Sequence, residues 1–129
     1  MTSYLDTSAA MKLLVEEAES AALTTYLQSE QASEAVASWL LHTELHCAAN
    51  RHPDDIDVAA VGVVLDTITL VDLTRGDLLT AGALPGRLRS NDAVHLAVAL
   101  RVGVDEMITY DSELDVAARA SGLAVARPA

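Results

Sequence analysis

Strand-like and helix-like stretches alternate along the whole chain, and that order leaves few folds open. Tyr4-Leu5 has the character of a short strand's end, after which Thr7 or Ser8 can cap a helix that begins near Ala9. A second helical stretch is expected over residues 17–28, a strand over 34–38 and a helix over 39–50 that His52-Pro53 breaks. Residues 54–66 fit a helix with acids in its first turn, where the macrodipole favours them. The β-branched run 67–73 fits a strand, residues 76–84 a helix, and Pro85-Gly86-Arg87-Leu88-Arg89 a loop. Ser90 then caps a nearly all-apolar helix over 92–102 that Gly103 stops. A strand at 107–109, a helix at 112–121 and a strand at 123–125 complete the order. Alternation of this kind predicts a parallel sheet covered on both faces, an α/β/α sandwich of three layers. In such sheets ligand sites lie beyond the carboxyl ends of the strands.

The 129 residues suit one domain spanning 1–129, and a hydrophobic fraction of 51% excludes disorder. Phe is absent and Trp occurs once, so the core is built of Ala, Leu and Val, which suits helices packed on a parallel sheet. The formal net charge is −11, with 8 Lys and Arg against 19 Asp and Glu. That balance argues against a broad basic surface gripping nucleic acid and fits a cation or a basic partner. A lone cysteine, Cys47, allows no internal disulfide and points to a reducing compartment. The first residues carry no signal-peptide pattern, and the longest apolar run, 58–65, is too short to cross a bilayer. The expectation is a cytoplasmic, soluble protein.

Four acids stand where such a fold would place a site. Asp6 closes the first strand and Asp111 the strand before the last, so both belong at carboxyl ends; both also precede helices, and a plain N-cap explains either alone. Glu44 falls inside the apolar arc formed by Leu40, Leu41, Leu45, Cys47, Ala48 and Ala49, a costly place for a carboxylate without a partner. A buried salt bridge is the alternative. Asp92 lies in the first turn of the most apolar helix, where the dipole favours an acid, yet a helix that apolar must be central. Two carboxylates about 4 Å apart repel by roughly 4 kcal/mol at an effective dielectric near 20. A hard divalent cation such as Mg²⁺ or Mn²⁺ resolves such a cluster. Asp115, four residues after Asp111, either supports that site or is a solvated helix residue; with Ser112 it also forms a capping-box pattern.

These residues carry a resemblance that covers almost the whole chain in order. Tyr4-Leu5-Asp6-Thr7-Ser8-Ala9 resembles the opening of PIN-domain proteins, VapC-type toxins in particular. Thr43-Glu44-Leu45 resembles their central acid, and Asn91-Asp92-Ala93-Val94-His95-Leu96-Ala97 their third motif. Ile108-Thr109-Tyr110-Asp111-Ser112-Glu113-Leu114 resembles the fourth. The resemblance implies an α/β/α sandwich and Mg²⁺- or Mn²⁺-dependent cleavage of RNA by water. It implies Asp6, Glu44, Asp92 and Asp111 as metal ligands and catalytic acids, with Thr7 or Ser8 supporting. It also implies a homodimer and a VapB-like antitoxin that puts a basic residue into the acidic pocket, which suits this net charge.

Other signals weigh less. His42 and His46 share a helix face, but Glu44 lies about 200° round the helix from each and cannot act as base for a metal they hold. His95, one turn after Asp92, fits a satisfied core histidine better than a substrate contact. Cys47 falls on the apolar side of its helix and reads as inert. Arg87 and Arg89 flank the expected site and are candidates for phosphate contact. A receiver domain that accepts a phosphoryl group has similar length, but needs paired acids after its first strand and a late lysine; the chain has Asp6 alone there, and its one lysine is Lys12. A non-catalytic PIN scaffold that only binds a partner is the remaining alternative.

Overall fold

A computed structural model describes residues 1–29 and 34–129. Among them lie five strands and seven helices, in the order β1 (Thr2–Leu5), α1 (Thr7–Leu14), α2 (Ser20–Gln28), β2 (Glu34–Ser38), α3 (Trp39–Arg51), α4 (Val58–Asp66), β3 (Thr69–Val71), α5 (Arg75–Ala83), α6 (Ser90–Val102), β4 (Glu106–Ile108), α7 (Ser112–Ala120) and β5 (Ala124–Ala126). All strand pairs are parallel, and their order across the sheet is β3-β2-β1-β4-β5. The alternation in the sequence is thus the alternation of the fold.

That strand order fixes where a site belongs. From β1 the chain steps outward through β2 to β3, then returns to lay β4 on the other side of β1. Right-handed crossovers run in opposite directions across a sheet must cover opposite faces. The packing agrees: α1 touches α2, α3 and α4, while α6 touches α5 and α7. The direction changes between β1 and β4, and there the flanking connections part and leave a crevice above the carboxyl ends. Leu5 pairs with Ile108 across this boundary, so the residues that follow them, Asp6 and Thr109, face the crevice side by side.

The core is aliphatic. Leu5, Leu23, Leu41, Leu45, Val61, Leu96, Val98, Met107, Ile108 and Leu114 are buried, with Tyr4 the large aromatic among them. The α6 helix, buried at Ala93, His95, Leu96, Ala97, Val98 and Ala99, is the central one. Gly103 ends it in the left-handed conformation at φ 75°, which costs a residue without Cβ nothing. No helix among the described residues is long and apolar enough to cross a membrane.

Several boundaries differ from the sequence expectation, and each difference has a capping cause. Asp6 itself caps α1 by accepting from Ala9 N at 3.0 Å, so Thr7 and Ser8 are helical. The helix expected over 54–66 begins only at Val58, because Asp57 caps it through Ala59 N at 2.9 Å; Asp54 and Asp55 precede it. Ser90 is the first residue of α6, whose N-cap, Arg89, makes no side-chain capping bond. Thr74 and Asp77 form a reciprocal capping box for α5, and strand β3 is confined to Thr69–Val71. The buried stripe of α3 is Leu41, Leu45, Ala48 and Ala49. Cys47 is exposed, since it sits 60° round the helix from Glu44 rather than among those residues.

Candidate active site

A cavity of about 460 Å³ opens at the switch between β1 and β4, lined by Asp6, Glu44, Arg89, Asp92, Asp111 and neighbouring Thr7, Ser8, Ser90 and Asn91. Four separate elements deliver the acids. Asp6 comes off the end of β1, and Asp111 off the connection after β4. Glu44 reaches in from α3 on one face of the sheet, and Asp92 from the first turn of α6 on the other.

Asp6 is held in a cradle of hydroxyls. Ser8 Oγ donates to its two oxygens at 2.7 and 2.9 Å, and Thr109 Oγ1 donates to Oδ2 at 2.7 Å. Each hydroxyl in turn accepts a backbone N–H, Ser8 from Tyr110 at 2.9 Å and Thr109 from Asp111 at 3.1 Å. A hydroxyl that accepts from a fixed amide has its proton free to donate, so both aim at Asp6. Burial pushes the Asp6 carboxyl above its ordinary range, against the opposing pull of Thr109, Ala9, Ser8 and His95.

Glu44 is held by a longer chain. Ser38 N donates to Tyr4 Oη at 3.1 Å, Tyr4 Oη lies 2.7 Å from His95 Nδ1, and His95 Nε2 lies 2.6 Å from Glu44 Oε1. Because Tyr4 accepts from the amide and burial pushes its own proton loss far upward, it donates to Nδ1. The imidazole then carries its proton on Nε2 and gives it to the carboxylate. Asn91 Nδ2 donates to Oε2 at 3.3 Å. Burial pushes Glu44 up, but the hydrogen bond of His95, with Thr7 and Asn91, outweighs it and holds the carboxyl below its usual range.

Asp92 is left exposed to its neighbours. It accepts no hydrogen bond from any described residue, and its pKa is pushed up to about 6, first by burial and then by Asp111, Asp6 and Glu44 against His95. Asp111 spends Oδ1 on the N–H of Leu114, capping α7 at 2.8 Å. None of the four acids is ion-paired to an Arg or Lys among the described residues.

The other sequence candidates divide. Thr7 lines the cavity and its Oγ1 lies 3.2 Å from His95 Nε2; Ser8 acts through Asp6. Arg89 lines the cavity and Arg87 does not. Asp115 does not line the cavity: Arg119 Nε donates to it at 2.6 Å and Arg127 stands 3.7 Å off, so a pair of guanidinium groups takes the carboxylate that the sequence left as either a support of the site or a solvated helix residue. His42 and His46 stack on each other at 4.2 Å. Among the described residues no His, Cys, Asp and Glu group forms a compact metal cluster. Thr109 and Tyr4 escaped sequence reasoning. Thr109 lay within a matched motif, but only the strand register shows that its hydroxyl meets Asp6.

The same test bears on a divalent cation at the acids. The four carboxylates line one cavity without converging on a point. The fit is in the donor chemistry: an all-oxygen set, no paired guanidinium or ammonium, and a repulsion that raises Asp92. Such a set suits a hard cation.

Comparison with known proteins gives the same fold and a family. The PIN domain profile matches residues 3–120. The chain is similar to Ribonuclease VapC46 of Mycobacterium tuberculosis (strain ATCC 25618 / H37Rv), 39% identical over 97% of this chain and 96% of that protein. It is also similar to Ribonuclease VapC47 of Mycobacterium tuberculosis (strain CDC 1551 / Oshkosh), 35% identical over the same shares. Among solved structures it superposes on Mycobacterium tuberculosis VapC20, described as a Sarcin-Ricin loop cleaving toxin, with TM-score 0.73, 17% identity and coverage of 98% and 99%. VapBC2 from Rickettsia felis, solved with a DNA fragment from its promoter, gives TM-score 0.78, 12% identity and full coverage of both chains.

Proposed function

Because this chain belongs to the PIN-domain family, we propose that it is a Mg²⁺- or Mn²⁺-dependent endoribonuclease, the toxin of a VapBC-type toxin–antitoxin pair. The observation that carries the reading is the cavity at the β1–β4 switch, where Asp6, Glu44, Asp92 and Asp111 arrive from four elements and none of them is ion-paired to an Arg or Lys among the described residues. The relatives named as VapC ribonucleases supply the substrate class.

Asp6, Glu44, Asp92 and Asp111 would hold the cation. Bound there, it supplies Lewis acidity toward a phosphodiester and toward the attacking water. The chain's own residues prepare the cavity. Ser8 and Thr109 fix the Asp6 oxygens, and His95, held by Tyr4, fixes Glu44, so these carboxylates keep their orientation before substrate arrives. Asp92 accepts no hydrogen bond from a described residue, unlike the other three acids. Attack in line by water leaves a 3′-hydroxyl and a 5′-phosphate.

The chain acts as one domain over residues 1–129, in the cytoplasm, as a homodimer bound by a VapB-like antitoxin. A basic antitoxin side chain entering the cavity would meet the charge that Asp92 reports. The test is RNA cleavage by purified protein with Mg²⁺ or Mn²⁺, together with thermal unfolding. Cleavage should require the metal, stop in Asp6→Asn, and leave 5′-phosphate ends; Mn²⁺ should raise the unfolding midpoint of wild type and not of Asp6→Asn. Cutting that persists in excess EDTA, or 2′,3′-cyclic phosphate ends, overturns the mechanism. A midpoint raised by Mn²⁺ with no RNA cut by the wild type identifies a binding scaffold instead.

A further inference from the structure

A second cavity, of about 540 Å³, shares Thr7, Glu44 and Asn91 with the acidic one and extends from it along α3 to Arg51 and His52. Its wall is one stripe of that helix: Leu40, Glu44, Cys47, Ala48 and Arg51 recur at the spacing of a single face. Ala48 keeps the middle of the stripe shallow. Glu44 and Arg51 lie seven residues apart, about 10 Å along the helix axis.

Arg51 forms no ion pair with a described residue, although the chain has 19 acids against 8 Lys and Arg. Lys12, Arg101, Arg119 and Arg127 are ion-paired, whereas Arg51, Arg75, Arg87 and Arg89 form no ion pair with a described residue. Two of these unpaired guanidinium groups, Arg51 and Arg89, line the two joined cavities. A free guanidinium in an acidic chain, on the wall of a groove that leads out of an acidic cavity, is a ready partner for an oxyanion.

We propose that the α3 groove is a substrate subsite in which Arg51 binds an RNA phosphate beside the scissile one, so that the strand runs over the acids between Arg89 and Arg51. The inference rests on the nuclease reading and deepens it. It also meets the objection that the net charge poses. The chain needs no basic surface if two guanidinium groups and a cation take the phosphates within the cavities, where position matters more than total charge.

The test uses the full chain carrying Asp92→Asn and a fluorescein-labelled pool of random single-stranded RNA, with Mn²⁺ present. Arg51→Ala added to this parent should weaken binding about tenfold and flatten the logarithmic salt dependence by about 0.7, the value of one single-strand phosphate contact. Arg51→Lys should keep the slope, and Arg75→Ala, at an unpaired arginine outside both cavities, should change neither quantity. RNA should slow alkylation of Cys47 by iodoacetamide in the parent and not in Arg51→Ala. In the wild-type background Arg51→Ala should raise KM and leave kcat in place. Equal losses in Arg51→Ala and Arg75→Ala, or no loss in Arg51→Ala, overturn the inference, as does a parent that binds no RNA. If RNA binding survives Arg51→Ala while antitoxin binding is lost, the groove belongs to the protein partner and the inference is wrong. A wild type that cuts no RNA while binding still depends on Arg51 refutes the nuclease reading alone.

Discussion

His95 Nε2 stands 2.6 Å from Glu44 Oε1, and this contact joins the central acid of the cavity to the buried interior. The imidazole is fully buried, so its position is set by packing and by Tyr4 behind it. A carboxylate tethered in this way loses little freedom when it takes up a ligand.

Breaking the tether should be costly in graded steps. Tyr4→Phe leaves Ser38 N and His95 Nδ1 without partners and should destabilise the fold by about 1–3 kcal/mol. His95→Ala also opens a cavity and strands Glu44, for about 3–5 kcal/mol. Urea unfolding with cleavage assays under folded conditions checks both. Tyr4→Phe unfolding at the wild-type midpoint would show that the chain of bonds holds nothing.

Asp92 predicts the opposite sign. Its carboxyl, pushed up to about 6, keeps a proton in the folded chain at pH values where the unfolded chain has lost it. The folded state therefore binds the extra proton, and this group's contribution to stability falls as pH rises from about 4 to about 6. Asp92→Asn removes the charge, so in EDTA near pH 7 the variant should be more stable than wild type by about 1–2 kcal/mol. The gap should close toward pH 4, while cleavage is lost. A variant less stable than wild type near pH 7 would contradict the crowding of the acids.

Asp77 titrates in the reverse sense. It is buried, closes the capping box with Thr74, and accepts from Arg101 Nε at 2.7 Å. Burial pushes its carboxyl up, but Arg101 and Thr74 outweigh that and hold it below the ordinary value. Its contribution is therefore present above the unfolded value and lost as pH falls below about 4. Asp77→Ala should cost about 2–3 kcal/mol near neutral pH, chiefly from the cap and the stranded buried groups. Chemical denaturation at two pH values measures it, and a deficit that grows as pH falls would be the wrong sign.

Asp115 tests the edge of the site. Because Arg119 and Arg127 take its carboxylate, Asp115→Asn should leave cleavage within about twofold of wild type and cost no more than about 1 kcal/mol, as surface pairs do. A tenfold loss of cleavage rate would make Asp115 a support of the site after all.

Much of this was legible in the sequence because the pattern and the fold share one cause. Strand and helix alternate, so the sheet is parallel, and acids that end strands must stand at its carboxyl edge. Glu44 betrayed itself by lying inside an apolar arc of its helix. Pairings between remote segments could not be seen. Nothing near Tyr4 indicates that its hydroxyl serves His95, and nothing near Asp115 points to Arg127. Capping was misplaced for a related reason: several residues offered a cap, and only the backbone decides which one reaches the open amides. Arg51 passed unnoticed because it looks like any basic residue at a helix end until the groove it lines is seen to join the acidic cavity.

The strand order β3-β2-β1-β4-β5 also bears on how the chain is made. Asp6 emerges among the first residues, but its neighbour across the sheet is Thr109, and Ser8 and Thr109 orient it together. A chain growing on the ribosome thus carries its first acid for most of translation without the strand that completes the cavity. Only when the segment through Asp111 is free to insert beside the opening strand does the acidic cavity exist. The cavity is therefore incomplete in any growing chain that stops short of β4.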